Sequence, residues 1–296
     1  MNASRNARGA ALILVLWLLV LLTAVIGGFA QSARIEALQA HQLRASLIAR
    51  QAAQAGIEYA ALRMAYPDNA RRWVPDGRKY DFVLGDAKLE IRVLDESGKI
   101  DLNGASLDLI ARLLRALEVR EPRAHALAAA IVDYRDPDDL LSPGGAESRD
   151  YSSAGLPYAP KNKAFETVSE LQRVLGMDFA TYQKLEPNVT VYASGDPSPT
   201  FATPAVLQAL GLSADSADLF RSQREAWQPG APGTPPVLPN GQAFVVQPGT
   251  GTYAISSHVH LHDGTDMTVN AIVRASQSGP FGQLYVPLQW REGEAN

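Results

Sequence analysis

Hydrophobic positions run unbroken near the start of the chain. From Gly9 to Ala33 no residue carries a charge. A helix of that length extends about 37 Å, enough to cross a hydrocarbon core of about 30 Å. Arg34 closes the run, and an Ala-rich stretch follows to about Met64. In it Ile35, Leu38, Leu43, Leu47, Ile48, Ile57, Tyr59 and Leu62 recur at roughly helical spacing. Pro67-Asp68-Asn69 stops it. The pattern predicts one long helix, apolar all round in its first half and amphipathic in its second.

The period then changes. Leu89, Ile91 and Val93 alternate with Lys88, Glu90 and Arg92, so Phe82–Leu94 reads as a hairpin turning at Leu84-Gly85-Asp86. From Leu102 to about Trp227 a cap-helix-turn-helix unit recurs. Asn103–Ser106 precedes Leu107–Leu117. Phe165–Thr167 precedes Val168–Leu175, and Gly176–Asp178 precedes Phe179–Leu185. Phe201–Pro204 precedes Ala205–Leu210, and Gly211–Ser213 precedes Ala214–Phe220. Gln228–Gly241 is a Pro/Gly-rich loop. Three strands follow, Thr252–Leu261, Met267–Ala275 and Phe281–Trp290, with turns at Gly264 and Gly279-Pro280. Short connections favour one antiparallel sheet with the helical block inserted into it.

Composition narrows the function. The 296 residues are 46% hydrophobic, enough for one large or two small domains behind the apolar helix. A net charge of −4 argues against a protein built to grip phosphate backbones. The chain has no cysteine, hence neither disulfides nor thiolate chemistry.

The segment up to Ala33 allows three readings. A secretory signal has an apolar region of about 7–15 residues, shorter than Ala10–Ala30, although Ala30-Gln31-Ser32 mimics its cleavage site. An uncleaved anchor fits the length, with Arg5 and Arg8 favouring an inside N-terminus but Arg34, Arg44 and Arg50 lying beyond. The third is a short basic leader cut after Gly9, and the helix continuing past Ala33 favours it over a secretory signal.

The motifs carry a resemblance over nearly the whole chain. They are Arg8-Gly9 before the apolar run, Lys99-Ile100-Asp101-Leu102-Asn103, and Ile131-Val132-Asp133-Tyr134-Arg135-Asp136. Gly145-Ala146-Glu147, Tyr151, Pro157-Tyr158, Asn162 and Phe165 follow, then Val189-Thr190-Val191-Tyr192 and Leu288-Gln289-Trp290-Arg291-Glu292. The chain resembles the K-type minor pseudopilins of type II secretion systems (the general secretion pathway protein K family). The resemblance implies an α+β, pilin-like fold with a long N-terminal α-helix, an antiparallel sheet and a large inserted α-helical domain. Its parts would be a leader at 1–9, a membrane stem at 10–33, a pilin-like helix and first strands at 34–101, the inserted domain at 102–227, and a loop with the last strands at 228–296. Asp196–Thr203 departs from the family's usual entry into its second helical repeat.

The resemblance further implies cleavage between Gly9 and Ala10 by a prepilin peptidase, with Ala10 methylated. Most pilins carry a glutamate at the fifth position after that cut; here Leu14 stands there, the expected state in the K type. A lone carboxylate in hydrocarbon costs roughly 2.5–3.5 kcal/mol. A subunit with nothing above it has no need of one, so Leu14 marks a filament tip. The implied partners are I- and J-type minor pseudopilins, other pseudopilins and the inner-membrane secretion platform. The implied location is the bacterial inner membrane, single pass, with the globular part in the periplasm and later at the pseudopilus tip. The role is assembly in the export of folded proteins, with no enzyme activity and no nucleic acid.

Two clusters bear on metals. Asp133, Asp136, Asp138, Asp139, Glu147 and Asp150 crowd into one short stretch with Pro137 and Pro143. Calcium takes six to eight oxygens. The resemblance implies calcium binding in this region, so Asp133, Asp136, Asp138, Glu147 and Asp150 are candidate ligands. The alternative is a solvated acidic loop, with Asp133 and Asp136 paired to Arg135 or Arg149. His258, His260 and His262 alternate on an expected strand, with Asp263 next. A shared zinc or nickel ion is one reading, but the alternation of any half-buried strand explains them without metal and is preferred.

Leu175-Gly176-Met177 partly matches a helix-hairpin-helix turn, but Asp178 occupies its second glycine position and repels phosphate. No phosphate loop or catalytic acid pair is evident, and Ser213 or Ser256 near a histidine is coincidence. The competing functions are a membrane-anchored periplasmic binding protein, or minor pilin of another system, and a tethered metalloenzyme using the three histidines.

Overall fold

The computed structural model describes residues 6–68, 70–229, 235–237, 241, 250–276 and 284–293. Helix α1 runs unbroken from Asn6 to Met64. Its apolar half is bare: Leu12 through Phe29 expose every large side chain. From Ala45 onward one face of small residues, Ala45, Ala49, Ala52, Ala53, Ala60 and Ala61 with Ile57, is buried. That face lies on a sheet of β1 (Asp76–Leu84), β2 (Ala87–Asp95), β5 (Thr252–His260), β6 (Asp266–Ala275) and β7 (Tyr285–Gly293).

The strand order is β1-β2-β5-β6-β7, antiparallel throughout. Strand β2 buries Ala87, Leu89, Ile91 and Val93 and turns Lys88 and Arg92 outward, as the alternation predicts. The β1–β2 turn is tight: Leu84 pairs with Ala87, and Gly85 takes φ +59°. Gly56 is needed where α1 meets the sheet. A Cβ there would stand 2.2 Å from Ser257 Oγ and 2.9 Å from a Leu89 methyl.

Between β2 and β5 the chain leaves the sheet and builds a second core. Its elements are β3 (Ile100–Asp101), α2 (Leu107–Ala116), α3 (Arg123–Arg135), α4 (Ser148–Ser153), α5 (Phe179–Leu185), β4 (Val189–Thr190), α6 (Pro204–Ala209) and α7 (Ala214–Ala226). Ser106, Asp178, Thr203 and Ser213 cap α2, α5, α6 and α7 through side-chain oxygens. Ile110, Leu113, Leu114, Ile131, Leu171, Leu185 and Leu207 fill the interior.

The sequence pattern missed or misjudged several details. Val168–Arg173 is a 3-10 helix, not the α-helix expected over Val168–Leu175. Its short, Thr167-capped run has too few apolar positions for a longer face. Helix α7 runs past Phe220 to Ala226, because Arg224 is drawn into a buried ion network. The short parallel pair β3–β4 was not expected. It ties the start of the block to the segment that follows α5, with Leu102 N–H donating to Thr190 O at 2.9 Å. The atypical Asp196–Thr203 stretch packs well: Ser198 N–H donates to Ser97 O at 2.7 Å, and Gly98 sits against the Phe201 carbonyl. Strand β7 begins at Tyr285; Gly279-Pro280, Phe281 and most of the Pro/Gly-rich loop lie outside the described residues.

Block and sheet meet at a salt-bridge network. Arg78 holds Asp76 with two nitrogens, Nη2 at 2.7 Å and Nε at 2.9 Å. Arg224, 1% exposed, places Nε 3.4 Å from Asp76 Oδ2 and donates to the Thr200 and Ala202 carbonyls. Arg78 also donates to the Arg224 and Trp227 carbonyls. The end of α7 is thereby tied to the start of β1.

Candidate functional site

Three features carry chemistry or partners. The first is the stem. The helix past Ala11 is long and apolar enough to cross a membrane, with a mean hydropathy of 2.8 over its best 18-residue window and none of that window buried. Gly9 and Ala10 lie in the first turns of α1, and Leu14 is 69% exposed on the same helix.

The second is the acidic pocket. Helix α3 delivers Asp133 in its last turn, and Asp136 caps the helix end. Glu147 precedes α4. Asp133 is wholly buried and Glu147 is 7% exposed. Asp133 Oδ2 accepts from Ala146 N–H at 2.9 Å and Ser142 N–H at 3.3 Å, which wraps the loop around it. Gly145 permits this: a Cβ there would lie 2.0 Å from Asp133 Oδ2.

What these oxygens lack is as telling. Asp133 Oδ1, Asp136 Oδ1, both Glu147 oxygens and Asn162 Oδ1 are buried without a hydrogen-bond partner. Unmet buried carboxylate oxygens are costly, and a native fold holds few of them. Arg135 donates its hydrogen bonds elsewhere, to the Leu102 and Ala105 carbonyls, although its charge still favours the ionised Asp136. Among the described residues, Arg149 forms no ion pair with them either. Burial first, then Asp133, Asp136, Asp139 and Asp138, push the Glu147 carboxyl up to about 7. Burial, then Asp138 and Asp133, also raise Asp136.

The other acids are engaged. Asp150 Oδ2 accepts the Glu147 N–H at 2.9 Å, Asp138 Oδ1 accepts Leu140 N–H, and Asp139 Oδ1 accepts from Asn162 Nδ2 at 3.0 Å. Asn162 was not singled out as a ligand from sequence. Its signal was conformational: it holds φ 49°, a left-handed position asparagine tolerates. Among the described residues no three His, Asp or Glu side chains close on one point as they stand. The donor set is all oxygen, carboxylate and amide, the chemistry a hard cation such as calcium takes.

The third feature is the histidines, and here the sequence expectation needs correcting. His258 and His260 lie on the outward face of β5, but the strand ends at His260. His262 lies in the turn beyond, where it lines a groove with His41, Leu47 and Leu84. The three do not share a face. His258 Nδ1 is 3.0 Å from Thr268 Oγ1, and His260 Nδ1 is 2.7 Å from Asp266 Oδ1.

Residues 87–194 match the family model of type II secretion system (T2SS), protein K. That segment is similar to the protein K family. It spans β2 to β4, and so contains the acidic pocket and the β3–β4 pair, while α6 and α7 lie beyond it. The type II secretion system protein K of Klebsiella pneumoniae is 30% identical over 137 residues, 42% of this chain and 41% of that protein. That of Pectobacterium carotovorum subsp. carotovorum is 27% identical over 205 residues, 62% of each chain. The aligned parts thus span less than two thirds of either relative. The fold is similar to a chain in the crystal structure of the GspK–GspI–GspJ complex from the enterotoxigenic Escherichia coli type 2 secretion system. There the TM-score is 0.55 at 18% identity, covering 88% of this chain and 100% of that one.

Proposed function

We propose that the chain is a minor pseudopilin that sits at the tip of a type II secretion pseudopilus. There it assembles with I- and J-type minor pseudopilins to initiate or cap the filament for export of folded proteins, without catalysis of its own. The observation that carries the reading is the combination in one chain of a segment similar to protein K, whose helices leave the sheet between the neighbouring strands β2 and β5, with a bare apolar stem on the helix that packs on that sheet. The stem sits in the inner membrane until assembly and the globular part lies in the periplasm. A prepilin peptidase cuts between Gly9 and Ala10, and Ala10 is methylated. Leu14 leaves the stem without a carboxylate to offer a subunit above, and the bulky block obstructs one.

The mass and N-terminal sequence of the full chain, expressed with and without a prepilin peptidase, test this. A start at Ala10 that appears only with the peptidase is the expected result. An intact Met1 in both cases removes the pseudopilin and leaves an anchored periplasmic protein.

The acidic pocket is proposed to hold calcium through Asp133, Asp136, Glu147 and Asn162, with Asp138 at its rim and Asp150 fixing Glu147 from behind. The ion would supply positive charge that lets the crowded carboxylates stay ionised together. The residues themselves tie the end of α3 to the start of α4. Saturating calcium, at about 100 times its dissociation constant, stabilises the fold by about 2.7 kcal/mol. The full chain should therefore melt higher in calcium than in chelator, and Glu147→Gln should abolish the difference. Identical melting curves remove the site.

A further inference from the structure

We infer that His258 and His260 form a two-imidazole site for a divalent transition metal ion of the zinc, nickel or copper class. The site lies on the outward face of the sheet, outside both the protein K segment and the acidic pocket.

Four observations carry it. Alternate residues on a strand share a face, with Cα atoms about 6.8 Å apart, within reach of two imidazoles closing on one ion. Both rings are already held by the same nitrogen. Asp266 Oδ1 can only accept, so His260 donates to it from Nδ1, which leaves Nε2 as the ring nitrogen not engaged by Asp266. Thr268 Oγ1 likewise engages His258 Nδ1. Anchoring one ring nitrogen on a carboxylate or hydroxyl while the other faces outward is how metal-binding imidazoles are oriented.

The third observation is charge. His258 Nε2 is 3.9 Å from Asp266 Oδ1, too far for a hydrogen bond but close enough for the carboxylate to favour a cation there. Glu90, opposite His258 in register, is occupied by Lys79 and Arg92 and does not compete. Lys88, opposite His260, is the one cation in register, and Asp266 offsets it. The fourth is access: the two side chains are 37% and 55% exposed, so an ion reaches them without unfolding.

Among the described residues no third side chain completes the set, so two nitrogens come from the protein and the other positions stay open to water. Imidazole suits borderline metals and is a poor ligand for calcium, which separates this site chemically from the acidic pocket.

The test is copper(II) titration of the full chain in detergent, read by electron paramagnetic resonance and by calorimetry, with zinc as a second probe. The expected result is one ion per chain with hyperfine structure from two equatorial nitrogens. His258→Gln and His260→Gln should each leave one nitrogen and weaken binding by about tenfold or more. Asp266→Ala, which frees the His260 ring, should keep two nitrogens yet weaken binding about tenfold. His262→Gln should change nothing, and Glu147→Gln should leave copper binding intact. All these side chains except Glu147 are exposed or beyond the strand, and circular dichroism checks that each variant is folded. The inference falls if the double variant of His258 and His260 keeps the two-nitrogen signal. It falls equally if bound copper shows oxygen ligands alone.

Discussion

The molecule has two cores that solve burial differently. The sheet core is nearly all hydrocarbon: alanines of α1 against Leu89, Ile91, Val93, Ile255, Val259 and Val269. One buried polar atom at its centre, Ser257 Oγ beside Gly56, goes unpaired. The helical block has a larger apolar interior yet buries Asp133 and Glu147 at its edge, with oxygens that nothing in the described chain satisfies. A helix on a sheet can exclude polar groups because its backbone bonds are internal to each element. A block of short helices joined by loops must wrap side chains around loop backbone. The first core is a scaffold; the second holds the larger unmet bonding capacity, at its edge.

The sharpest way to break this division is at the joint. Asp76→Ala should cost about 3–5 kcal/mol, since it leaves Arg78 and the 1%-exposed Arg224 as uncompensated buried charges. Urea unfolding of the full chain should show the loss, with the block and the sheet then melting in separate transitions. A single transition with a loss below about 1 kcal/mol would mean the cores are joined elsewhere.

The two close-approach glycines give a paired test. Gly56→Leu should cost about 1–3 kcal/mol by overpacking the α1–sheet contact, while leaving any calcium response of the block unchanged. Gly145→Ala forces a Cβ onto Asp133 Oδ2 and should abolish that response. If either variant produces the other's signature, the cores are not separable.

A smaller effect is expected at β7, the least buried strand of the sheet. Tyr285 Oη donates to Glu58 at 2.7 Å, and Arg50 meets Glu292 at 2.8 Å, so polar contacts pin this edge to α1. Burial, then the Glu58 hydrogen bond, raise the Tyr285 pKa. Tyr285→Phe should cost about 1 kcal/mol in the same urea assay. No loss would mean that the β6 ladder alone holds the strand.

Legibility followed the same divide. The stem, the β1–β2 hairpin and β5–β6 were readable because each follows a single period: unbroken, or alternating in twos. The insertion was readable too, since strands flank a run of capped short helices. What stayed hidden depended on pairing across distance. Nothing in Ile100-Asp101 or Val189-Thr190 announces a parallel bridge between segments so far apart in the chain. The acids between Asp133 and Asp150 were visible as a cluster, but not which of them lack partners. Asp150 and Asp138 turn to backbone amides, while Asn162 comes in from beyond α4. The histidines were misjudged for a local reason: alternation carried through His262, whereas the strand stops at His260, before a turn around Gly264.

The mildest test concerns a charge that the sequence had marked for another reason. Asp178 occupies the turn position where a phosphate-binding hairpin would want glycine, and in the fold it caps α5. Its Oδ1 accepts Thr181 N–H at 2.7 Å, and Arg123 meets its Oδ2 at 2.6 Å. The Thr181 amide and hydroxyl first, then Arg123, hold its carboxyl down to about 2 from a usual 3.8. A carboxylate depressed in the folded state contributes stability that is fully present above its unfolded value. That contribution is lost as pH falls through the folded value. The wild-type chain should therefore lose stability between about pH 4 and pH 2 more steeply than Asp178→Asn, which keeps a capping oxygen but cannot titrate. The part owed to Arg123 is exposed and should shrink in high salt, while the part owed to the Thr181 amide should not. Parallel pH profiles for the two proteins would mean that the cap holds α5 through geometry alone and its charge is immaterial.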